Sequence, residues 1–343
     1  MKGVVILGNR TVEVRERPEW ELGPGLVRVR SVLAGICGSD LHGYRAPARP
    51  NSANLVPGHE LAGIVEAVGP GVERVKVGDR VVAYQAWGCG YCEHCASGHS
   101  NLCANRVVIG KKDRFQKEYA VMPANGALPL PDYLSFEDGL MLSCAGGTAW
   151  VGLKHVKPSC DDVALVIGLG PVGLMGVMWA RAMGAYVIGV EVTPERIALG
   201  KQAGAHVVID ASQEDTVARV MELTDGYGAT VGFEGSGNKK AQATLLEATH
   251  YDARVVYVAI APPGAVIDPA TSRGRGAYLG LRSIHGTFTF GMGDWYAMLR
   301  ALRWHGLKPG QFVTHRFPIE RAGEAYAVAD SGRCGKVLFE FPL

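Results

Sequence analysis

The 343-residue chain has no run of like charge. Its 35 Lys and Arg against 33 Asp and Glu leave a formal net charge of +2, and the basic residues are scattered. That absence argues against nucleic acid or an anionic membrane surface as partner. No uninterrupted apolar stretch reaches the roughly 20 residues that a membrane span requires. The opening Met1-Lys2-Gly3-Val4 runs into a strand-like pattern instead of a secretory leader. A soluble, cytoplasmic protein with a small-molecule partner is expected. Low-complexity tracts are missing too: the 46 glycines are spread over strand ends and turns, as suits an α/β protein with many tight connections. At this length, with 48% hydrophobic residues, two cores are a better expectation than one.

What is present begins with cysteine. Cys89, Cys92, Cys95 and Cys103 form a C-x2-C-x2-C-x7-C run whose spacers are glycine, polar and charged residues rather than a hydrophobic pattern. Four thiolates so close in sequence can wrap one tetrahedral Zn²⁺ within a single loop. With every position taken by sulfur, such a site is closed and structural, and any catalytic metal must lie elsewhere. The competing readings are disulfides and a redox motif. Disulfides fit poorly, because a chain this long needs no staples and has no leader sequence. His94 and His99 in the same loop are expected to face water.

Up to about residue 150 the sequence offers short strand candidates broken by Gly, Pro and Asn, at 4–7, 26–33, 63–68, 80–84 and 118–122. From Asp162 the rhythm changes to buried strands alternating with helical patterns, with strands expected at 163–167, 186–190, 206–209, 230–233, 255–259 and 283–287. That alternation is the signature of βαβ units and a doubly wound parallel sheet. After Asp294 a helix, a strand, a second helix and a last strand are expected to return to the first domain. The expected bounds are 1–152, 153–294 and 295–343.

Gly168-Leu169-Gly170-Pro171-Val172-Gly173 follows the apolar strand at 163–167 and opens a helical stretch. A G-x-G-x-x-G in that context reads as a dinucleotide turn. Gly168 permits the tight turn, Gly170 the approach of a pyrophosphate to the helix N-terminus, and Gly173 close packing of helix on strand. Glu191 ends the next strand, 23 residues on (191 − 168), where a carboxylate meets the adenosine ribose and repels a 2′-phosphate. NAD is therefore expected over NADP. Arg196 reads equally as an adenosine contact and as part of a solvated helix face.

Three further residues are scattered: Cys37 in Gly35-Ile-Cys37-Gly-Ser39-Asp40-Leu-His42, His59 in Gly58-His59-Glu60, and Cys144 in Cys144-Ala-Gly-Gly-Thr148. Taken alone, each is more often a buried thiol or an ordinary polar residue than a ligand. Together with the four-cysteine loop and the glycine turn, and in this order, these motifs resemble the zinc-dependent alcohol dehydrogenases of the medium-chain dehydrogenase/reductase superfamily. The likeness spans essentially the whole chain. It implies a mainly β, GroES-like catalytic domain beside the Rossmann domain, and two Zn²⁺ per chain. It also implies a catalytic metal held by Cys37, His59 and Cys144 with one position left open.

The same resemblance puts Ser39 and His42 on a proton path to solvent, Thr148 against the nicotinamide, and Glu60 behind the metal, with Asp40 orienting His59; either carboxylate reads equally as part of a plain salt bridge. Lys336 is similar to a basic residue that contacts cofactor phosphate in relatives, with Arg333 competing for that place. Gln85, Tyr44 and Trp87 fall near cleft-lining positions, where polar groups would favour a substrate with additional hydroxyls. The sorbitol and threonine dehydrogenase branch usually has glutamate where this chain has Cys144, although Cys-Gly-Ser-Asp is common in the polyol branch. The implied reaction is NAD-linked oxidation of an alcohol, secondary and polyol or sugar-like, or the reverse reduction of a carbonyl by NAD(P)H. A zinc- and nucleotide-binding protein without turnover is the reading from a different class. Assembly as a homodimer or homotetramer is expected through the last strand of the sheet. The stretch containing Arg273, Arg275 and Arg282 reads either as a site for an anionic substrate group or as a subunit contact.

Overall fold

In the first half of the chain, alternating and continuous apolar runs make an antiparallel sheet; in the second, β-branched runs buried on both faces make a parallel one. The computed structural model describes residues 1–48, 56–108, 114–260 and 281–342. It divides into two units, Met1–Cys144 with Thr289–Leu343, and Ala145–Phe288.

The first unit begins with β1 (Lys2–Gly8) and β2 (Thr11–Glu16), an antiparallel pair. There follow β3 (Leu26–Ile36), α1 (Gly38–Arg45), β4 (Leu61–Val68), β5 (Arg80–Ala83), β6 (Ala86–Trp87), α2 (Glu93–Ala96), β7 (Val107–Val108), β8 (Tyr119–Pro123), β9 (Ala127–Pro129) and α3 (Phe136–Met141). Long β3, buried along its second half, is the organising strand: it pairs antiparallel with β4 and with β8. The ladder between β3 and β4 ends at Ala34↔Leu61, and Gly35 N–H donates to Glu60 O (3.1 Å) just beyond it. The residues after Ile36 and before Leu61 therefore leave the sheet at the same end.

The second unit holds α4 (Gly147–Val156), β10 (Val163–Ile167), α5 (Pro171–Ala182), β11 (Tyr186–Glu191), α6 (Pro194–Gln202), β12 (Val207–Asp210), α7 (Thr216–Leu223), β13 (Ala229–Glu234), α8 (Lys239–Ala248), β14 (Thr249–Tyr257) and β15 (Ser283–Gly286). Its six strands are parallel in the order β12-β11-β10-β13-β14-β15, or 3-2-1-4-5-6 by chain position, the doubly wound Rossmann arrangement. Leu165, Ile167, Ile188, Val190, Ile209 and Val255, alternate residues that share one face of the sheet, fill the core with Val220 of α7 and Leu245 and Leu246 of α8.

The chain then re-enters the first unit through α9 (Met292–His305), β16 (Val313–Pro318), α10 (Ala322–Ser331) and β17 (Lys336–Glu340). Strand β17 pairs antiparallel with β3, Val337 opposite Ile36, and carries β16 parallel on its outer edge. Tyr326 and Phe339 pack there with Tyr44, Leu41 and Phe317 in one apolar cluster. Tyr44 is thus a core residue, its ring 5.2 Å from that of Tyr326.

Candidate active site and zinc sites

Cys37 follows the last residue of β3 and caps α1; His59 and Glu60 precede β4. The antiparallel register places both segments at one end of the sheet. Cys144 reaches the same place from the opposite direction. Helix α3 is started by Ser135, whose hydroxyl accepts Asp138 N–H (3.0 Å) while the Asp138 carboxylate accepts Ser135 N–H (3.1 Å). It then widens into one π-helical turn, Leu142–Gly146, that carries Cys144 inward. One ligand atom each from Cys37, His59, Glu60 and Cys144 lies within 4.8 Å of all the others. His59 Nε2 is 3.3 Å from Cys144 Sγ, and the two sulfurs are 3.9 Å apart.

The surroundings are acidic and dry. Asp40, buried in the first turn of α1, accepts Cys37 N–H (2.9 Å), and its other oxygen is 3.9 Å from His59 Nδ1, beyond hydrogen-bond reach but close enough to orient the ring. Burial raises Asp40 to about 6. For His59, burial opposes protonation, but the Cys37 thiolate, its hydrogen bond and Asp40 outweigh it and push the ring up to about 9. The hydrogen bond between the thiols holds Cys37 well below the usual range and Cys144 well above it: two sulfurs sharing one proton. Divalent metal relieves this arrangement by replacing the proton.

Glu60 was expected behind the metal; its partner was not. The carboxylate is fully buried and ion-paired with Lys336 Nζ, itself 1% exposed, while Glu60 Oε1 has no hydrogen-bond donor. A Cβ on Gly35 would stand 1.9 Å from Glu60 Oε2, so glycine is what leaves the carboxylate its place. Lys336 is thus paired with Glu60 inside the first unit. Burial works against its charge, yet Glu60 first and then the two cysteines keep its affinity for the proton raised.

Ser39 is half-buried and His42 exposed, three residues apart on one face of α1. Gln85 donates to Thr289 Oγ1 (3.0 Å), and Trp87 is buried against Gly126.

The second cysteine group is built differently. Cys89, Cys92, Cys95 and Cys103 also place one sulfur each within 4.8 Å of the others, but α2 and a 3₁₀ turn at Ser100–Leu102 arrange them inside one loop. Cys92 Sγ is 3.7 Å from Cys103 Sγ, and Cys89 N–H points at Cys103 Sγ (3.4 Å). The backbone N–H of Tyr91, followed by that of Cys92, lowers the Cys89 thiol to about 6. Ser100 moors the loop: its hydroxyl donates to Tyr84 Oη (3.2 Å), which donates to Phe290 O (2.5 Å). His94 and His99 are exposed.

In the second unit, Gly168 takes φ +87° and Gly170 caps α5, with Pro171 at its first position and Val172 half-buried. A Cβ on Gly173 would fall 1.8 Å from Gly168 O, so the helix reaches the strand only as glycine. Glu191 Oε2 accepts Leu169 N–H (2.9 Å) and Oε1 accepts Val192 N–H (2.8 Å), which fixes the carboxylate beside the turn. The Arg196 guanidinium lies 3.8 Å from where a Gly170 Cβ would be. A cavity of about 480 Å³ opens there, lined among others by Gly168, Glu191, Ser236 and Asn238. Thr148 is half-buried on α4. Arg273 and Arg275 lie outside the described residues. Arg282 is buried and donates to Leu246 O (3.1 Å) and Thr249 O (2.8 Å), carbonyls at the end of α8, which corrects its reading as a site for substrate or a second subunit.

Residues 23–132 match the family model described as Alcohol dehydrogenase GroES-like domain, and residues 171–304 the one described as Zinc-binding dehydrogenase. The chain is 36% identical to the uncharacterized zinc-type alcohol dehydrogenase-like protein YphC of Escherichia coli, over 100% of this chain and 99% of that one. The chain belongs to the zinc-dependent alcohol dehydrogenases. It is 33% identical to an L-threonine 3-dehydrogenase of Anaeromyxobacter sp., over 96% of this chain and 95% of that protein. Its fold superposes on the alcohol dehydrogenase TADH from Thermus sp. ATN1 with a TM-score of 0.88 at 31% identity, each chain covered completely. For this zinc-dependent dehydrogenase, both ligand groups fit zinc: one of four sulfurs, the other two sulfurs and an imidazole beside a carboxylate of which one oxygen, Glu60 Oε1, lacks a donor. No helix among the described residues is long and apolar enough to cross a membrane.

Proposed function

We propose that this enzyme oxidises a secondary alcohol bearing further polar groups to a ketone, with NAD as hydride acceptor. The observation that carries the reading is the buried convergence of Cys37, His59 and Cys144 with Glu60 and Lys336 behind them. Those three side chains would hold the catalytic zinc, and the four-cysteine loop a structural one. When bound, zinc supplies Lewis acidity that favours the alkoxide form of an alcohol, and NAD supplies the hydride acceptor. Asp40 keeps His59 in the orientation that turns Nε2 toward the thiols. Ser39 and His42, on one face of α1, would pass the alcohol proton from the half-buried to the exposed side. Thr148 is assigned to the nicotinamide by resemblance.

In the second unit, the turn at Gly168–Gly173 would receive the pyrophosphate, Glu191 the ribose hydroxyls, and Arg196 the adenosine. Glu191 is held by two backbone N–H groups, which supports the reading that its fixed charge beside the glycine turn would repel a 2′-phosphate. Replacing Glu191 with Ser should shift the ratio of kcat/KM for NAD over NADP by roughly tenfold toward NADP, about 1.4 kcal/mol. An unchanged ratio removes Glu191 from this role.

The experiment for the reading as a whole is an NADH-absorbance screen of the zinc-loaded protein over secondary alcohols, polyols, sugar alcohols and L-threonine. Silence throughout would favour a zinc- and nucleotide-binding protein without turnover. Carbonyl reduction by NAD(P)H at the same residues is read from the reverse assay. The reading includes action in the cytoplasm and assembly as a homodimer or homotetramer through the edge strand β15.

A further inference from the structure

The motifs above leave one buried carboxylate of the second unit unexplained. Glu234 is the last residue of β13, and the register Ile167↔Glu234 sets it opposite the last residue of β10. Strands β10 and β13 are the neighbours at which the strand order reverses, and the crevice outside such a reversal is where doubly wound sheets take ligands. The side chain is fully buried, and the groups that act on its charge are Ser236, Gly237 and the Gln242 side chain, none of them a cation. Its donors come mainly from one turn. Ser236 N–H (2.8 Å) and Ser236 Oγ (2.5 Å) donate to Oε1, and Gly237 N–H reaches both oxygens at 3.0 and 3.2 Å.

The turn so gathered forms one wall of the cavity beside the glycine motif. A Cβ on Gly168 would lie 2.6 Å from Ser236 Cβ, so the two turns are in close contact. Ser236 and Asn238 line the cavity with Gly168 and Glu191. Ser236 Oγ in turn accepts Asn238 N–H (3.1 Å), and Asn238 caps α8 by accepting Lys240 N–H (2.8 Å). We propose that Glu234 is a positioning residue for the dinucleotide, holding the 235–238 turn as the second wall of the crevice against Gly168. This rests on the reading that the second unit binds NAD. The chemistry demands an ionised carboxylate, which only accepts; an amide in the same place would aim N–H₂ at the N–H of Ser236 or Gly237. Burial raises the carboxyl, the cost of keeping a charge there with dipoles alone.

The test is fluorescence titration of zinc-loaded wild-type and Glu234→Gln protein with NADH, paired with steady-state kinetics on whichever alcohol the screen returns. The dissociation constant for NADH and the KM for NAD should both rise about tenfold, with kcat within twofold and the heat midpoint little changed. Wild-type affinity in a folded Glu234→Gln protein overturns the inference. So does a loss that lowers kcat and the heat midpoint in step with affinity, which would make Glu234 only a stabiliser of the sheet. Should Glu234→Gln fail to fold, Glu234→Asp decides: the charge is kept but the reach is shortened, a threefold weaker NADH affinity supports the inference, and an unchanged one overturns it. A wild-type protein that does not bind NADH at all sinks the dinucleotide reading first and this inference with it.

Discussion

The two cysteine groups both gather four ligand atoms within one metal's reach, by opposite constructions. Cys89, Cys92, Cys95 and Cys103 occupy one loop of 15 residues (89 to 103) whose own turns set the geometry, and three of the four are partly exposed. Cys37 and Cys144 are 107 residues apart and meet only because a sheet register and a π-turn bring them together, beside a buried carboxylate and a buried lysine. A local cluster saturates its metal and holds a loop. A scattered one is assembled by the core, which can place Asp40, Glu60 and Lys336 around it and leave a ligand position open.

The largest expected effect tests this division directly. Cys144→Ser should lower turnover by at least about a thousandfold, several kcal/mol of lost Lewis-acid stabilisation, with one zinc gone and the heat midpoint nearly kept. Cys95→Ser should also lose one zinc, yet retain turnover within severalfold at low temperature and inactivate faster on heating. Metal analysis with activity and half-life at several temperatures separates the two. If Cys95→Ser abolished turnover with its midpoint intact, the comparison would be broken.

Lys336→Met probes the buried charge pair that the loop group has no counterpart for. It leaves Glu60 uncompensated in the core, a cost of about 3–5 kcal/mol in denaturant unfolding of metal-free protein. The penalty should shrink when zinc is loaded, because the cation then faces the same carboxylate. An equal penalty in both states would mean that Glu60 and the metal ligands are electrostatically independent. Next in size is Asp40→Asn, which removes the charge beside His59 Nδ1 while keeping an acceptor for Cys37 N–H; it should weaken catalytic zinc roughly 10- to 100-fold in chelator competition and leave loop zinc unaffected.

Locality also explains what could be read without coordinates. The cysteine loop, the glycine turn and the six parallel strands are all contiguous patterns, so spacing and periodicity carried them. β2 escaped because Thr11–Glu16 buries no side chain fully, and a strand without a buried face has little apolar rhythm. The Lys336–Glu60 pair escaped for the opposite reason: the partners lie 276 positions apart (336 − 60), and only the pairing of Val337 with Ile36 brings Lys336 beside Cys37 and Glu60. Arg282 sits in an arginine-bearing stretch that suggested an anion or a subunit contact, whereas its guanidinium ends a helix. Glu234 left no motif at all, since its donors are two backbone N–H groups, a serine hydroxyl and a glutamine, none of which has a spacing signature.

The smallest effect concerns the mooring of the local group. Tyr84 Oη is the one link described between Ser100, inside the cysteine loop, and Phe290 O, so Tyr84→Phe leaves a buried hydroxyl and a carbonyl short of a partner at a cost of about 1–2 kcal/mol. Loop zinc should leave faster to chelator while catalytic turnover stays near wild type. The pH dependence gives an independent check. Burial pushes the Tyr84 phenol up to about 12, from the ordinary value of about 10. The folded state thus binds this proton more tightly than the unfolded one, so the stability it contributes is present below pH 10 and is lost as pH rises from about 10 toward 12. Wild-type protein should lose up to about 2 kcal/mol across that window relative to Tyr84→Phe. If the two unfolding curves run parallel there, the phenol is not held in the buried place between Ser100 and Phe290 O that the mooring requires.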